Sequence, residues 1–337
     1  MTTGGVILST PLCPLLGIDL PIIQAPIGSA TTPGLAAAVS NAGGLGMLAV
    51  TWQSIDEVRY TLRATRRLTD RPFGVNLVLH WPPGERLAVC LEEGVPVVSF
   101  FWGDPAPYVA RVHDAGALVL HTVASAAEAR QAVAAGVDVV VAQGWEAGGH
   151  VWGHVAALSL IPRVVDAVAP TPVVAAGGIA DGRGLAAALA LGAAGVWMGT
   201  RFLLSAEAAA HDLYKERLRQ ATETDTLYAT LFDGGWPNAP HRALRNSTAR
   251  RWDAAGKPPP GRRPGEGETV AADEDGRPVA RYSDTLPLAG MTGDLEALAL
   301  YAGQSVGLTN RQLPAARIVQ DVAAEAVETL RRVASLT

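Results

Sequence analysis

Between residues 21 and 202, short apolar runs alternate with longer stretches where alanine and leucine recur at helical spacing. The apolar runs cover residues 21–25, 45–50, 73–79, 95–101, 117–122, 137–142, 172–176 and 195–198. Runs this short, rich in β-branched residues and apolar on both faces, predict strands buried in a parallel sheet. The stretches between them carry helix signals. Thr32 stands where an N-cap is needed, with Pro33 at the first helical position, and the pattern runs to residue 40. Ser54 precedes a helix over 55–68, with Asp56 and Glu57 in its first turn. Further helices are predicted over 85–93, 105–115, 125–135 with Ser125 as cap, 157–168 and 184–191. Eight strands alternating with helices predict an α/β fold, a (β/α)8 TIM barrel.

The alternation then breaks. Residues 207–220 read as a helix and 226–232 as a strand or short helix. Residues 253–287 are rich in proline, glycine and charge and read as a loop or flexible segment. Helical periodicity returns over 294–301 and 314–336. The pattern therefore predicts a barrel made of residues 1–207 and 291–337, its last helix completing the outer ring. Residues 208–290 form an inserted lid domain after strand eight. Loops that follow barrel strands emerge on the catalytic face, so the insertion should lie over it.

Composition removes several function classes. The chain has 337 residues, 49% hydrophobic and 18% charged, with a formal net charge of -5. No run of lysine and arginine suits nucleic acid. No stretch of eighteen apolar residues predicts a membrane span, and no basic, apolar leader opens the chain. Cys13 and Cys90 lack metal-ligand spacing, which suits reduced thiols and a cytoplasmic location. No G-x-S-x-G elbow is present and neither cysteine ends a strand beside a base, so hydrolase chemistry drops out.

Candidate chemistry gathers where strands end. The sixth strand runs into Gln143-Gly144-Trp145-Glu146-Ala147-Gly148-Gly149-His150. Here glycines allow a sharp turn and close approach, and a titratable imidazole follows. Either a catalytic histidine at the barrel mouth or a glycine-rich turn with a surface histidine fits those residues. Gly177-Gly178 after strand seven and Gly199-Thr200-Arg201 after strand eight stand where barrels bind phosphate through backbone N–H groups. His154 shares a possible helix face with His150, but no third ligand accompanies them, so no metal site is expected. His121 ends strand five, where it either touches a ligand or fills the barrel mouth. His80, His113, His211 and His241 read as surface or lid residues. Glu146 reads as a loop-orienting residue. Trp145, Trp152, Trp197 and Trp236 are candidates for an apolar pocket.

Taken together, Gln24-Ala25-Pro26, Asn41-Ala42-Gly43-Gly44-Leu45-Gly46, Phe73-Gly74-Val75-Asn76, Glu146-Ala147-Gly148-Gly149-His150, Ala176-Gly177-Gly178-Ile179-Ala180-Asp181-Gly182, Met198-Gly199-Thr200-Arg201-Phe202 and Ala302-Gly303-Gln304 resemble the nitronate monooxygenases, formerly 2-nitropropane dioxygenases. Relatives that reduce enoyl-acyl carrier protein or quinones with NAD(P)H share the motifs. The resemblance implies an FMN-dependent barrel with a lid. It implies that Ala25, Pro26 and Ile27 run beside the flavin's reactive edge, and that Asn76 hydrogen-bonds the ring. Thr122 and Gln143 would line it, Gly148 would approach it, and Ala176, Gly177, Gly178, Gly199 and Thr200 would surround the phosphate. His150 would be the catalytic acid/base. The implied reaction takes an alkyl nitronate, such as propionate 3-nitronate, and O2 to a carbonyl compound and nitrite. The partners are then that small-molecule nitronate or nitroalkane and O2, with the enzyme a monomer or homodimer. The lid sequence from Gly234 to Ser247 resembles the nitronate-oxidising members more than the reductases. The alternative is an NAD(P)H-dependent FMN reductase of enoyl thioesters or quinones. A third reading is a barrel that has lost catalysis and binds a ligand through its lid, against which the intact glycine set and His150 argue.

Overall fold

All eight apolar runs become strands, each within two residues of the expected ends. They are β1 (Ile22–Gln24), β2 (Gly46–Ala49), β3 (Phe73–Val78), β4 (Val97–Phe101), β5 (Leu118–Val123), β6 (Val139–Gln143), β8 (Val173–Ala176) and β9 (Gly195–Met198). A two-residue strand, β7 (Gly149–His150), stands outside this set. The computed structural model describes residues 8–336. Its parallel sheet runs β1-β9-β8-β6-β5-β4-β3-β2, and a parallel bridge between Ile23 and Leu45 joins β1 to the entrance of β2 and closes the ring. The (β/α)8 barrel is therefore the observed fold.

The helices start where local chemistry starts them. In α2 (Pro33–Asn41) the Thr32 hydroxyl accepts from Leu35 N–H at 2.9 Å. Ser54 and Glu57 form a reciprocal capping box on α3 (Ile55–Arg66). α4 (Gly84–Glu92), α5 (Ala106–Asp114), α6 (Ala126–Ala134), capped by Ser125, and α7 (Ala157–Val168) follow in turn. Asp181 caps α8 (Gly182–Ala190), which starts two residues earlier than the sequence pattern suggests. Here α1 (Leu12–Leu16) precedes all of these: Leu12, Cys13 and Leu16 pack with Ile23, Met47, Leu120 and Val139 in the barrel interior. The closing helix, labelled α12 (Ala315–Ala334), packs on α8 and α2.

Between β9 and α12 come α9 (Thr200–Leu203), α10 (Asp212–Gln220), β10 (Thr226–Ala229), β11 (His241–Leu244), α11 (Ser247–Ala254), β12 (Thr269–Ala272), β13 (Pro278–Ala280) and β14 (Thr292–Gly293). They make two three-stranded sheets, β10-β11-β7 and β13-β12-β14. The first borrows β7 from the loop after β6, so the barrel's own loop is a strand of the lid.

Four expectations are corrected here. The helix over 207–220 starts only at Asp212, where the His211 imidazole accepts from Leu213 N–H at 3.0 Å. Residues 294–301 are one 3-10 turn, Leu295–Ala297, followed by extended chain, because the backbone there bonds to distant segments: Leu298 O accepts from Asn246 Nδ2 at 2.7 Å, Ala299 N–H donates to Thr285 O at 3.2 Å and Leu300 O accepts from Leu244 N–H at 2.7 Å. Residues 253–287 are not featureless. They hold the β12–β13 hairpin, and a few anchored side chains offset the low apolar content. Arg281 is buried, donating to Glu268 at 3.1 Å and to the Thr248 hydroxyl at 2.8 Å, and the Tyr282 hydroxyl donates to Pro264 O at 2.9 Å. The inserted elements also continue past residue 290, since Thr292–Gly293 pairs with β12. No helix among the described residues is long and apolar enough to cross a membrane.

Candidate active site

The C-terminal ends of the barrel strands and the inserted segment enclose a cavity of about 420 Å³. All thirteen residues singled out from the sequence line it. Ala25, Pro26 and Ile27 follow β1, where Ala25 N–H donates to Met198 O at 2.8 Å and ties this turn to β9. Asn76 lies in β3, Thr122 in β5 and Gln143 at the end of β6. Gly148 and His150 come from the loop after β6. Ala176, Gly177 and Gly178 end and follow β8, and Gly199 and Thr200 link β9 to α9.

These groups fit the flavin mononucleotide that the resemblance implies. The Asn76 amide N–H₂ donates to Ser99 O and Oγ, both at 3.3 Å, which turns its carbonyl oxygen toward other donors. Gln143 Nε2 donates to His150 O at 3.2 Å, and its Oε1 is buried with no partner among the described residues. An orphaned buried acceptor of this kind needs a donor from whatever fills the cavity. Gly148 packs so tightly on the backbone that an added Cβ would stand 2.4 Å from Gly303 N. Thr200 Oγ1 accepts from Gly303 N–H at 3.0 Å, fixing the hydroxyl beside Gly199. Among the described residues no lysine or arginine lines the cavity, so backbone N–H groups and hydroxyls are what the lining offers a phosphate.

His150 is held by both parts of the molecule. Its backbone pairs with His241 of β11. Its ring lies 4.1 Å from that of Trp236 at an interplanar angle of 31°, 5.5 Å from Tyr301 and 5.6 Å from His241. The residue is half-buried, but Nε2 is shut off from solvent with no partner among the described residues. Burial, with His241 adding to it, pushes the imidazole pKa down to about 3. His150 is therefore neutral across the physiological range. His241 is neutral too. Its Nε2 accepts from Phe232 N–H at 3.1 Å, its Nδ1 therefore donates to Ala239 O at 3.0 Å, and burial pushes its pKa down to about 4.

Several other candidates find different places. His121 is buried in β5 but does not line the cavity. Glu146 accepts from Ala157 N–H with both carboxylate oxygens, at 3.1 and 2.9 Å, and so caps α7. His154 is exposed, 5.8 Å from the Tyr228 ring, and no group of three or more metal-ligating side chains is present among the described residues. His113 pairs with Asp138 at 2.9 Å and His80 is exposed. Trp197 and Trp236 line the cavity, whereas Trp145 and Trp152 flank it. Sequence reasoning missed Tyr301 and Asp284, which line the cavity, and read His241 as peripheral although it is buried against His150. A hint lay in the resemblance, which reached Ala302-Gly303-Gln304 and so passed directly beside Tyr301.

Comparison with known proteins comes down on the same architecture. The family described as nitronate monooxygenase matches over residues 9–84 and 83–325. A nitronate monooxygenase of Paraburkholderia phytofirmans is 35% identical, over 96% of this chain and 98% of that protein. A (3aS,4S,5R,7aS)-5-hydroxy-7a-methyl-1-oxo-octahydro-1H-indene-4-carboxyl-CoA dehydrogenase of Mycobacterium tuberculosis is 42% identical, over 74% of this chain and 70% of that one. The structure of FabK from Thermotoga maritima superposes with a TM-score of 0.85 at 37% identity, covering 98% of this chain and all of that one.

Proposed function

The chain belongs to the nitronate monooxygenase family, a family of oxidoreductases, and from that premise we propose that it holds FMN in the cavity and oxidises alkyl nitronates with O2 to carbonyl compounds and nitrite. The observation that carries the reading is His150, a neutral imidazole that lines a cavity built of glycine backbone and amide groups, its Nε2 without a partner among the described residues. Bound FMN would accept the nitronate's electrons and hand them on to O2. The protein's own groups place the reactants and handle the proton. Gly177, Gly178, Gly199 and Thr200 would hold the phosphate, Asn76 and Gln143 would meet the ring, and Gly148 would let it approach the backbone.

His150 receives the α-proton when a neutral nitroalkane arrives. A base whose cation is destabilised this far takes a proton only where a negative charge appears beside it. Deprotonating a nitroalkane creates that charge on the nitro oxygens. A preformed nitronate asks nothing of the base, so the site favours nitronates over their parent nitroalkanes. The enzyme acts as a monomer or a homodimer. The reductase reading draws on the likeness to FabK and to the CoA dehydrogenase. A nicotinamide donor would bring a pyrophosphate, and the sequence carries no second glycine-rich phosphate loop to receive it.

The test is direct. The chromophore released on denaturation should have the mass of FMN, and an alkyl nitronate in air should yield nitrite. FAD, or no flavin even after reconstitution, would overturn the assignment.

A further inference from the structure

We propose that Trp236 is a positioning residue that acts through His150: the insertion carries its indole onto the imidazole, covers that ring and keeps it dry, so that His150 meets a substrate as a free base. This rests on the nitronate reading above and deepens it by one residue. The two rings lie 4.1 Å apart at an interplanar angle of 31°, closer than any other aromatic contact of His150 among the described residues. Tyr301 and His241 follow at 5.5 and 5.6 Å, and Trp102 at 6.2 Å meets the imidazole edge-on at 88°. Trp236 is therefore the ring that covers a face of the imidazole.

Local structure delivers Trp236 and a socket holds it. Gly234 N–H donates to Tyr282 O at 3.0 Å, and Gly234 O accepts from Asp284 N–H at 3.2 Å. Gly235 then takes a φ of +135°, and an added Cβ there would stand 2.4 Å from Asp284 Oδ1, so glycine is what fits this turn. The indole that follows is 1% exposed. Trp102 packs against it at 4.8 Å, Trp81 at 5.0 Å, His80 at 5.6 Å and Phe101 at 6.4 Å, all four from loops or strand ends of the barrel. Trp102 keeps its place at a φ of +63°, strained for a bulky residue, so the packing around it outweighs the strain. An indole gripped on this many sides has no room to rotate off the imidazole.

Covering the ring has a chemical consequence. An imidazolium needs water to solvate its charge, and an aromatic cover excludes that water. Burial, with His241 adding to it, pushes the His150 pKa down to about 3, and Nε2 has no partner among the described residues. The neighbouring groups bring no charge to the ring near neutral pH. His241 is neutral, and burial holds the Tyr301 hydroxyl well above the usual tyrosine range. Asp284 reaches the same wall through that hydroxyl, which donates to its carbonyl at 3.2 Å. Its carboxyl, raised by burial to about 6, titrates alike in the wild type and in the variants below. In the proton transfer the substrate C–H bond breaks, the proton goes to an imidazole nitrogen and the electron pair passes to the nitro group. An imidazolium cannot accept that proton, so the indole that keeps the ring dry keeps the base available.

The experiment reads the protonation of His150 with and without the indole, on the flavin-loaded enzyme. Histidine NMR gives it directly, the His150 signal being the one of seven that His150→Asn removes. In the wild type that signal should not titrate above about pH 5. In Trp236→Ala, with the face open to water, its pKa should rise toward the ordinary 6.5, and Trp236→Phe, which keeps a ring there, should stay close to the wild type. Turnover of 1-nitrobutane should follow. From pH 7.5 to 5.5 kcat/KM should fall less than about twofold in the wild type and on the order of tenfold in Trp236→Ala, the ratio that a base with the ordinary histidine pKa gives. Should Trp236→Ala shed its flavin, Trp236→Gln keeps bulk while admitting water and reads the same shift. A His150 titration unmoved in the Ala and Gln variants would overturn the proposal. A shifted titration with no turnover of any nitroalkane or nitronate would instead strike the nitronate reading and leave the role of Trp236 standing.

Discussion

The two walls of the cavity are made differently. The barrel wall meets it with backbone and uncharged groups: the Ala25–Ile27 turn, the Asn76 and Gln143 amides, Gly148, the glycines after β8 and β9, and the rings of Trp52, Phe101 and Trp197. The lid wall meets it with side chains that titrate or stack, namely Trp236, Tyr301 and Asp284, with His241 behind them. Gly149 and His150 belong to both, since their short strand leaves a barrel loop and pairs into the lid sheet. The difference teaches a division of labour. A rigid parallel barrel fixes close backbone approaches, which suit an invariant cofactor. The insertion supplies the titrating groups, Tyr301 and Asp284, on the side that meets the variable part of a substrate.

If the division holds, breaking the barrel wall should cost the cofactor. A methyl group at Gly148 would stand 2.4 Å from Gly303 N and 2.6 Å from Ala302 C, and neither backbone atom has room to yield. Gly148→Ala should leave less than about a tenth of the wild-type flavin per chain, read from the flavin-to-protein absorbance ratio, because the clash falls on backbone. Gly149→Ala next door has open space, though its φ of +73° carries strain of only about 1–2 kcal/mol, and should keep most of its flavin. Equal losses in the two would show that the close approach at Gly148 is not what matters.

His150→Asn should separate binding from chemistry. It removes the titrating ring while nearly keeping size. Flavin content should be unchanged. Turnover of a neutral nitroalkane should fall on the order of 10²- to 10⁴-fold, and turnover of the preformed nitronate much less. Equal losses on both would make His150 a structural residue of the lid sheet.

A smaller effect follows from the buried imidazoles. His150, His121 and His241 have folded pKa values of about 3, 4 and 4, below the 6.5 of an unfolded histidine. Between about pH 4 and 6.5 the unfolded chain binds their protons and the folded one does not, so stability falls as pH drops through that window. Asp284 works the other way below pH 6, because its folded pKa is raised from 3.8. Three protons taken up on unfolding, less the one Asp284 gives up, leave about two. Stability should thus decline by up to about 3 kcal/mol per pH unit near pH 5, at about 1.4 kcal/mol per proton. Thermal melts across pH 4.5 to 7.5 would show it, and a flat profile would mean that these rings are solvated.

The barrel was legible because parallel strands are apolar on both faces and because Thr32, Ser54 and Ser125 mark helix starts in plain sequence. His150, Gly177, Gly178, Gly199 and Thr200 were legible at strand ends, where a barrel opens, whereas Ala25, Pro26, Ile27, Asn76, Thr122, Gln143, Gly148 and Ala176 came from the family resemblance; all thirteen line the cavity. The lid was legible as an interruption, with a helix ending at Gln220 and a strand starting at Thr226 but little else. All four residues of His241–Leu244 are buried, so the strand shows no alternation to read. Arg242 reads as a surface cation, yet it is buried without a carboxylate, lying 4.5 Å over Trp145 and donating to Trp145 O at 2.9 Å. Asp284 sits in a charge-rich segment that gives no sign of facing a cavity. Each reaches its place through pairings with residues far away in the chain, which no local pattern records.

The central claim is that a nitronate, not a reduced nicotinamide, delivers the electrons. Mixing the flavin-loaded protein anaerobically with an alkyl nitronate should bleach the flavin absorbance within the time of a stopped-flow trace. NADH and NADPH at millimolar concentrations should bleach it slowly or not at all. Rapid bleaching by NAD(P)H, with no response to any nitronate, would contradict the account and assign the cavity to a reductase.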